Sequence, residues 1–278
     1  MNANAKTVSL VLGSGGARGY AHIGAIEELL AQGYDIRSVA GASMGALVGG
    51  IYAAGKLDDY RDWARGLQKF DVLRLLDWTF RGGLIKGDRI IGRLKDLIGE
   101  VAIENLPIPY TAVAVDILAQ REMWFTRGPL FDAIRASIAI PTVFRPHHYE
   151  GRVLVDGGLL NPVPITPTLR DLTDCTIAVD LNAAPDDDDS TPMPDVNTDP
   201  GLLETFARSL DAVQATLTRF KLAAQPPDLV VSIPRNAGAF YEFHRAPELI
   251  ELSRTRTRAA LARWRGHVIS VEGAPEVS

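Results

Sequence analysis

Short uncharged runs alternate along this chain with segments whose apolar residues return every three or four positions, a pattern that predicts strands alternating with helices. Residues 7–12 (TVSLVL) are too short for helical periodicity and predict a buried strand. A glycine-rich turn, Gly13-Ser14-Gly15-Gly16-Ala17-Arg18-Gly19, follows. Residues 20–32 predict a helix with Ile23, Ile26, Leu29 and Leu30 on one face and Gly33 as its stop. Residues 38–42 predict a second strand that turns sharply at Ser43 into a small-residue helix reaching Gly55. Residues 57–70 and 88–99 predict helices, with a glycine-containing loop at 81–87 between them. Residues 110–116 and 121–125 predict two strands joined by a turn, and 131–138 a short helix ended by Pro141. Three more strands are expected at 153–156, 176–181 and 229–233. The alternation implies an α/β fold, a three-layer α/β/α sandwich around a mostly parallel sheet, with the 121–125 hairpin antiparallel at its margin.

Three segments depart from this simple alternation. Leu203, Phe206, Leu210, Val213, Leu217 and Phe220 make one apolar stripe on a helix over 201–224. The expectation is that this stripe packs on the protein's own core; a lid, a dimer seam or a lipid-contact surface is the alternative. The last helix, 247–265, begins with Glu248 and Glu251 and then carries Arg254, Arg256, Arg258, Arg263 and Arg265. That polarity suits the helix dipole without any partner, and anionic lipid headgroups are the lesser alternative. Residues 185–200 are acidic and proline-rich, which predicts a mobile surface loop. Their aspartates lack the ligand spacing of a calcium loop.

Composition narrows the class. The 278 residues carry 29 basic and 34 acidic side chains, a net charge of −5 that argues against phosphate-driven nucleic-acid binding. Cys175 is the single cysteine, so neither an intramolecular disulfide nor a cysteine zinc cluster can form, and a cytoplasmic, reducing setting is expected. Residues 38–55 hold no charge, and Gly45 and Gly49 form a GxxxG. Five glycines and five alanines nevertheless make that stretch too weakly hydrophobic for a membrane span. The polar start of the chain predicts no signal peptide. One catalytic domain over 1–278 is expected, with its motifs in 8–182, the acidic loop at 185–200 and further helices and a strand over 201–266.

Gly41-Ala42-Ser43-Met44-Gly45 is a G-x-S-x-G placed where a strand meets a helix. Such a turn holds a serine out of the backbone path with space beside it for a substrate carbonyl; a structural small-residue turn is the competing reading. The Gly13–Gly19 turn also has two readings. Converging amide N–H groups would make an oxyanion hole, with Arg18 adding positive potential or orienting the loop. A dinucleotide fingerprint is weakened by Arg18 where a glycine is needed, although Asp35 lies near the ribose-binding spacing. No phosphate-binding P-loop motif occurs. A base for Ser43 could be sought among His147, His148, His244 and His267, but none follows a strand in a glycine-rich context. His22 precedes the serine and suits a structural hydrogen bond. Asp156 ends an apolar strand before Gly157 and Gly158, which clear space around a carboxylate; an Asx-turn or helix-cap role is its alternative.

Gly15-Gly16-Ala17-Arg18-Gly19, Gly41-Ala42-Ser43-Met44-Gly45 and Asp156-Gly157-Gly158 together resemble the patatin-like phospholipase family in residue, order and spacing. The segment from Ala136 and Ser137 through Pro141 to Pro146 is similar to the family's proline-containing segment. Ser14 stands where many members have glycine. The resemblance covers roughly 8–164, is greatest to short bacterial members, and offers nothing usable after Pro185. It implies a serine–aspartate dyad, Ser43 as nucleophile and Asp156 as general base and acid. The amides of Gly15, Gly16, Ala17 and Arg18 would form the oxyanion hole, with Gly41, Gly45, Gly157 and Gly158 in support. It further implies lipid acyl-ester hydrolysis of phospholipase A or lysophospholipase type through an acyl-enzyme, with no metal and no cofactor. The expected partners are a lipid ester and, transiently, a membrane surface on its inner face, with a homo-oligomer left open. An acyltransferase on the same fold and a non-catalytic lipid-binding regulator are the alternatives.

Overall fold

A computed structural model describes residues 5–68, 71, 87–185 and 201–272. Among these residues the strands are β1 (Thr7–Leu12), β2 (Asp35–Ala42), β3 (Tyr110–Asp116), β4 (Arg121–Phe125), β5 (His147–Tyr149), β6 (Arg152–Asp156), β7 (Cys175–Ala183) and β8 (Leu229–Pro234). The α-helices are α1 (Ala21–Ala31), α2 (Met44–Ala53), α3 (Leu57–Arg65), α4 (Asp88–Ile98), α5 (Leu130–Ser137), α6 (Leu202–Ala224) and α7 (Ala246–Glu272). All eight strands form one sheet in the order β5-β6-β3-β2-β1-β7-β8, with β4 paired to β3 off that path. β3, β2, β1, β7 and β8 are parallel neighbours, while β4, β5 and β6 run antiparallel to the strands they pair with.

Side chains of β1 show why three layers form. Leu10 and Leu12 enter the larger core with Ile23, Ile26 and Leu29 of α1, Val48 of α2, Ile134 of α5 and Ile250 of α7. Val11, pointing the other way, packs with Ala178, Val163, Ile165 and Leu222 of α6. One face of the sheet is thus thickly covered and the other thinly, as both faces of a parallel sheet must be.

The sheet has an unusual splice. β4 pairs with residues 112–116 of β3 and so occupies one edge of that strand. β2 pairs with residues 110–113 and β6 with 114–116, both on the remaining edge. Their C-terminal ends therefore meet head to head, Ala42 opposite Val113 and Asp156 opposite Ala114.

Several local expectations are corrected. The first helix runs over Ala21–Ala31, close to its expected span, but the glycine-rich turn before it forms a 3-10 turn over Gly16–Tyr20, and β2 starts at Asp35 rather than at residue 38. His147 and His148 lie in β5, a strand the hydrophobic pattern did not predict, paired with β6. The apolar stripe of α6 buries itself only in part, with Phe206, Leu210 and Leu217 half-buried. Gln214, Ala215 and Thr218 face inward, whereas Val213 and Phe220 are 50% and 69% exposed. The arginines of α7 do have partners: Arg254 binds Glu27 and Arg258 binds Glu28, both on α1. Arginine matches α1 better than the dipole argument alone supposed. Of the loops expected at 81–87 and 185–200, residues 81–86 and 186–200 lie outside the described residues. Among the described residues no helix is long and apolar enough to cross a membrane.

Candidate active site

The loops that leave the C-terminal ends of parallel strands collect on one rim of such a sheet, and ligands bind there. β1 delivers the glycine-rich turn to this rim, β2 delivers Ser43, and β8 delivers residues 235–245. Asp35, at the start of β2, stands at the opposite end and is paired with Arg37. It cannot serve a nucleotide at the glycine turn, so that reading is withdrawn.

Ser43 links β2 to α2 with φ 55° and ψ −126°, a left-handed backbone on a residue with a side chain. Such a conformation costs about 1–3 kcal/mol and is held by its surroundings. The strain therefore lies on the serine itself. Gly41 and Gly45 serve a different purpose, because a Cβ on Gly45 would stand 2.1 Å from the Leu12 carbonyl oxygen and one on Gly41 would stand 2.4 Å from Gly45. Only glycines let the first turn of α2 sit this close to the sheet.

Ser43 Oγ donates to Asp156 Oδ2 at 2.6 Å, and both residues are 2% exposed. The two sequence readings of Asp156 coexist on its two oxygens. Oδ1 accepts the Gly158 N–H at 2.7 Å as a cap, leaving Oδ2 to the serine. Burial pushes the Asp156 carboxyl up to about 7, against the opposing pull of the Ser43 hydroxyl and the Gly158 amide. A carboxyl tuned this way is a far better proton acceptor near neutrality than an ordinary aspartate.

Among the described residues no histidine lines either cavity at Ser43. His22 is wholly buried, with Nε2 hydrogen-bonded to the Gly13 carbonyl at 2.7 Å, and burial lowers it to about 4. His147 pairs with Asp132 at 3.0 Å, and His244 lies on a 3-10 turn over Phe243–Arg245. The backbone of His267 belongs to α7.

The glycine turn divides its amides. Ser14 N–H donates to the Pro162 carbonyl, Ala17 N–H to that of Phe240 and Arg18 N–H to that of Gly15. Ala17 and Arg18 therefore drop out as oxyanion donors. Gly15 and Gly16 line the cavity beside Ser43 and Asp156 and have no such backbone bond in this loop. Gly16 has φ +56°, and a Cβ there would stand 2.6 Å from the Phe240 carbonyl oxygen. The Arg18 guanidinium points away from the cavity. It donates to the carbonyls of Gly15 at 3.2 Å and Arg235 at 2.5 Å and pairs with Asp211 of α6 at 2.7 Å. Of its two anticipated roles, it orients the loop.

Two cavities meet at Gly16, Ser43 and Ile140. One, of about 710 Å³ including its mouth, is walled by Tyr20, Met44, Leu47, Leu94, Phe144 and Phe243. The other, of about 410 Å³, is walled by Phe206, Leu210, Asp211, Gln214 and Phe240. The family resemblance covers roughly 8–164, so the walls supplied by α6 and residues 235–245 were not among the site residues it implied. It also gave no role to Ser137, whose Oγ accepts from Ser43 N–H at 2.9 Å and donates to the Val113 carbonyl at 2.6 Å. The inward polar residues of α6, Asp211, Gln214 and Thr218 at i, i+3 and i+7, were a usable signal that this helix faces polar groups.

A family model described as "Patatin-like phospholipase" matches residues 10–169. A Mycobacterium tuberculosis protein described as an uncharacterized NTE family protein is 39% identical, over 91% of this chain and 91% of that protein. The neuropathy target esterase sws of Drosophila virilis is 34% identical over 57% of this chain and 11% of its own length. Among solved structures, VipD from Legionella pneumophila aligns over 92% of this chain and 67% of its own, with a TM-score of 0.46 at 14% identity.

Proposed function

This chain belongs to the patatin-like phospholipase family, and from that premise we propose that it hydrolyses lipid acyl esters through a Ser43–Asp156 dyad. The observation that carries the proposal is the 2.6 Å hydrogen bond from Ser43 Oγ to a buried carboxylate, at a point where an apolar and a more polar cavity meet. Family membership gives the general chemistry of lipid acyl hydrolysis; the dyad, the acyl-enzyme and the lysophospholipase-type specificity are the finer reading.

The acyl chain occupies the apolar cavity and the alcohol faces Asp211 and Gln214. Asp156 Oδ2 takes the hydroxyl proton as Ser43 Oγ bonds to the ester carbon, and the carbonyl electron pair moves to oxygen. Gly15 and Gly16 N–H groups stabilise that oxyanion, each donor being worth about 3–4 kcal/mol in comparable sites. Collapse of the intermediate breaks the ester C–O bond, and Asp156 returns its proton to the departing alkoxide. Water, deprotonated by the same carboxylate, then releases the fatty acid and restores the Ser43 hydroxyl. The lipid aggregate is met by the outward stripe of α6, where Val213 and Phe220 lie exposed on the same helix that walls the alcohol side.

A fluorophosphonate probe tests the nucleophile. Labelling is expected at Ser43 and should vanish in Ser43→Ala, while Asp156→Asn should fold and lose at least ~10²-fold in ester turnover. Undiminished labelling in Ser43→Ala, or wild-type turnover in Asp156→Asn, overturns the dyad.

A further inference from the structure

The parallel ladder between β2 and β3 advances two residues at a time. Val39 N–H donates to the Pro109 carbonyl, so the step at Gly41 meets Thr111 and the step at Ser43 meets Val113. At that last step the direct bond is absent. The Ser137 hydroxyl stands in it instead, accepting Ser43 N–H at 2.9 Å and donating to the Val113 carbonyl at 2.6 Å. Ser137 is fully buried as the last residue of α5.

The inserted hydroxyl lies where β2 and β6 abut. The Val113 carbonyl it holds is the one that a Cβ on Gly157 would strike at 2.0 Å, so it faces the shared edge. A hydroxyl in the ladder keeps Ser43 one atom's width farther from β3 than a direct bond would. Both polar groups remain satisfied, as burial requires. The end of β6, which carries Asp156, abuts the end of β2 at this point.

We propose that Ser137 is a positioning residue: its hydroxyl splices the broken β2–β3 ladder and thereby sets Ser43 Oγ in line with Asp156. Resting on the dyad reading, it goes beyond it by naming what holds the dyad in register. Without the hydroxyl, Ser43 N–H closes on the Val113 carbonyl and draws Oγ off the carboxylate, the scale of displacement that costs ~10²-fold in rate.

The test uses the full chain with a p-nitrophenyl ester and a fluorophosphonate. Ser137→Ala is expected to lower kcat by ~10²-fold and slow Ser43 labelling in parallel, with KM unchanged. The acid limb of its pH–rate profile should also move upward, because the Ser43 hydroxyl bond that lowers the Asp156 pKa is weakened. Wild-type kcat in the variant overturns the proposal, and so does a reduced kcat with an unmoved limb, which is a structural effect only. Should Ser137→Ala not fold, Ser137→Cys keeps the shape with a weak donor and carries the same expectations and the same overturning results. Failure of the dyad itself is distinguishable, because then Ser43→Ala would keep the fluorophosphonate labelling or Asp156→Asn would keep wild-type turnover.

Discussion

Asp156 holds the Ser43 hydroxyl on one carboxylate oxygen and the Gly158 amide on the other, 2.6 and 2.7 Å away, at the floor of a cavity where it is 2% exposed. Each bond constrains a different degree of freedom. The amide fixes the plane of the carboxylate, and the hydroxyl uses the oxygen that remains.

The pH dependence follows from that burial. With its pKa raised to about 7, Asp156 must lose its proton before it can take one from Ser43. The rate constant kcat/KM should therefore rise with pH through about 7. A limb near the ordinary carboxylate value would refute this. Stability has the opposite sign. A carboxyl whose folded pKa lies above its unfolded value weakens the fold as pH climbs between the two, by up to ~4 kcal/mol, and no further above the higher one. Urea unfolding of Asp156→Asn should show the loss of that decline between pH 4 and pH 7 relative to wild type.

Chain-length preference should reside in the apolar cavity. Leu47 and Leu94 line it and are buried, so enlarging either one shortens the space open to an acyl chain. Leu94→Phe is expected to lower kcat/KM for long-chain p-nitrophenyl esters about tenfold while sparing the butyrate ester, with overpacking limited to about 1–3 kcal/mol. Equal losses on short and long chains would place the acyl group elsewhere.

Contact with lipid should depend on the outward face of α6. Phe220 and Val213 touch none of the dyad, and replacing them by aspartate removes apolar area worth about 1.5–3 kcal/mol per fully buried side chain. Sedimentation with phosphatidylcholine vesicles should fall in Val213→Asp/Phe220→Asp while hydrolysis of a soluble butyrate ester stays at the wild-type rate. Unchanged sedimentation would remove this face from the lipid contact.

Strands were legible in the chain because their uncharged runs are short and bounded by turn residues, and β1, β3, β4, β7 and β8 fall where that pattern put them. The dyad residues stood out because glycines flank them for steric reasons that leave a mark in the sequence. What could not be read was long-range and polar. His147 and His148 gain a strand from pairing with β6, a tertiary effect that local composition does not encode. Ala17 looks like a donor until the carbonyl of Phe240, more than two hundred residues away, takes its N–H, while Arg18 gives its own to Gly15 within the turn. The stripe on α6 misled because periodicity locates an apolar face without saying which way it turns. That helix buries Gln214 instead, to hold the Ser14 hydroxyl.

Two polar ties, Arg18 to Asp211 and Ser14 to Gln214, are how α6 grips the loop that carries the Gly15 and Gly16 amides. The helix cannot swing outward without tugging on the very backbone that must stay rigid to cradle negative charge. On the proposed chemistry, whatever loosens these two contacts also loosens the Gly15 and Gly16 backbone beside Ser43.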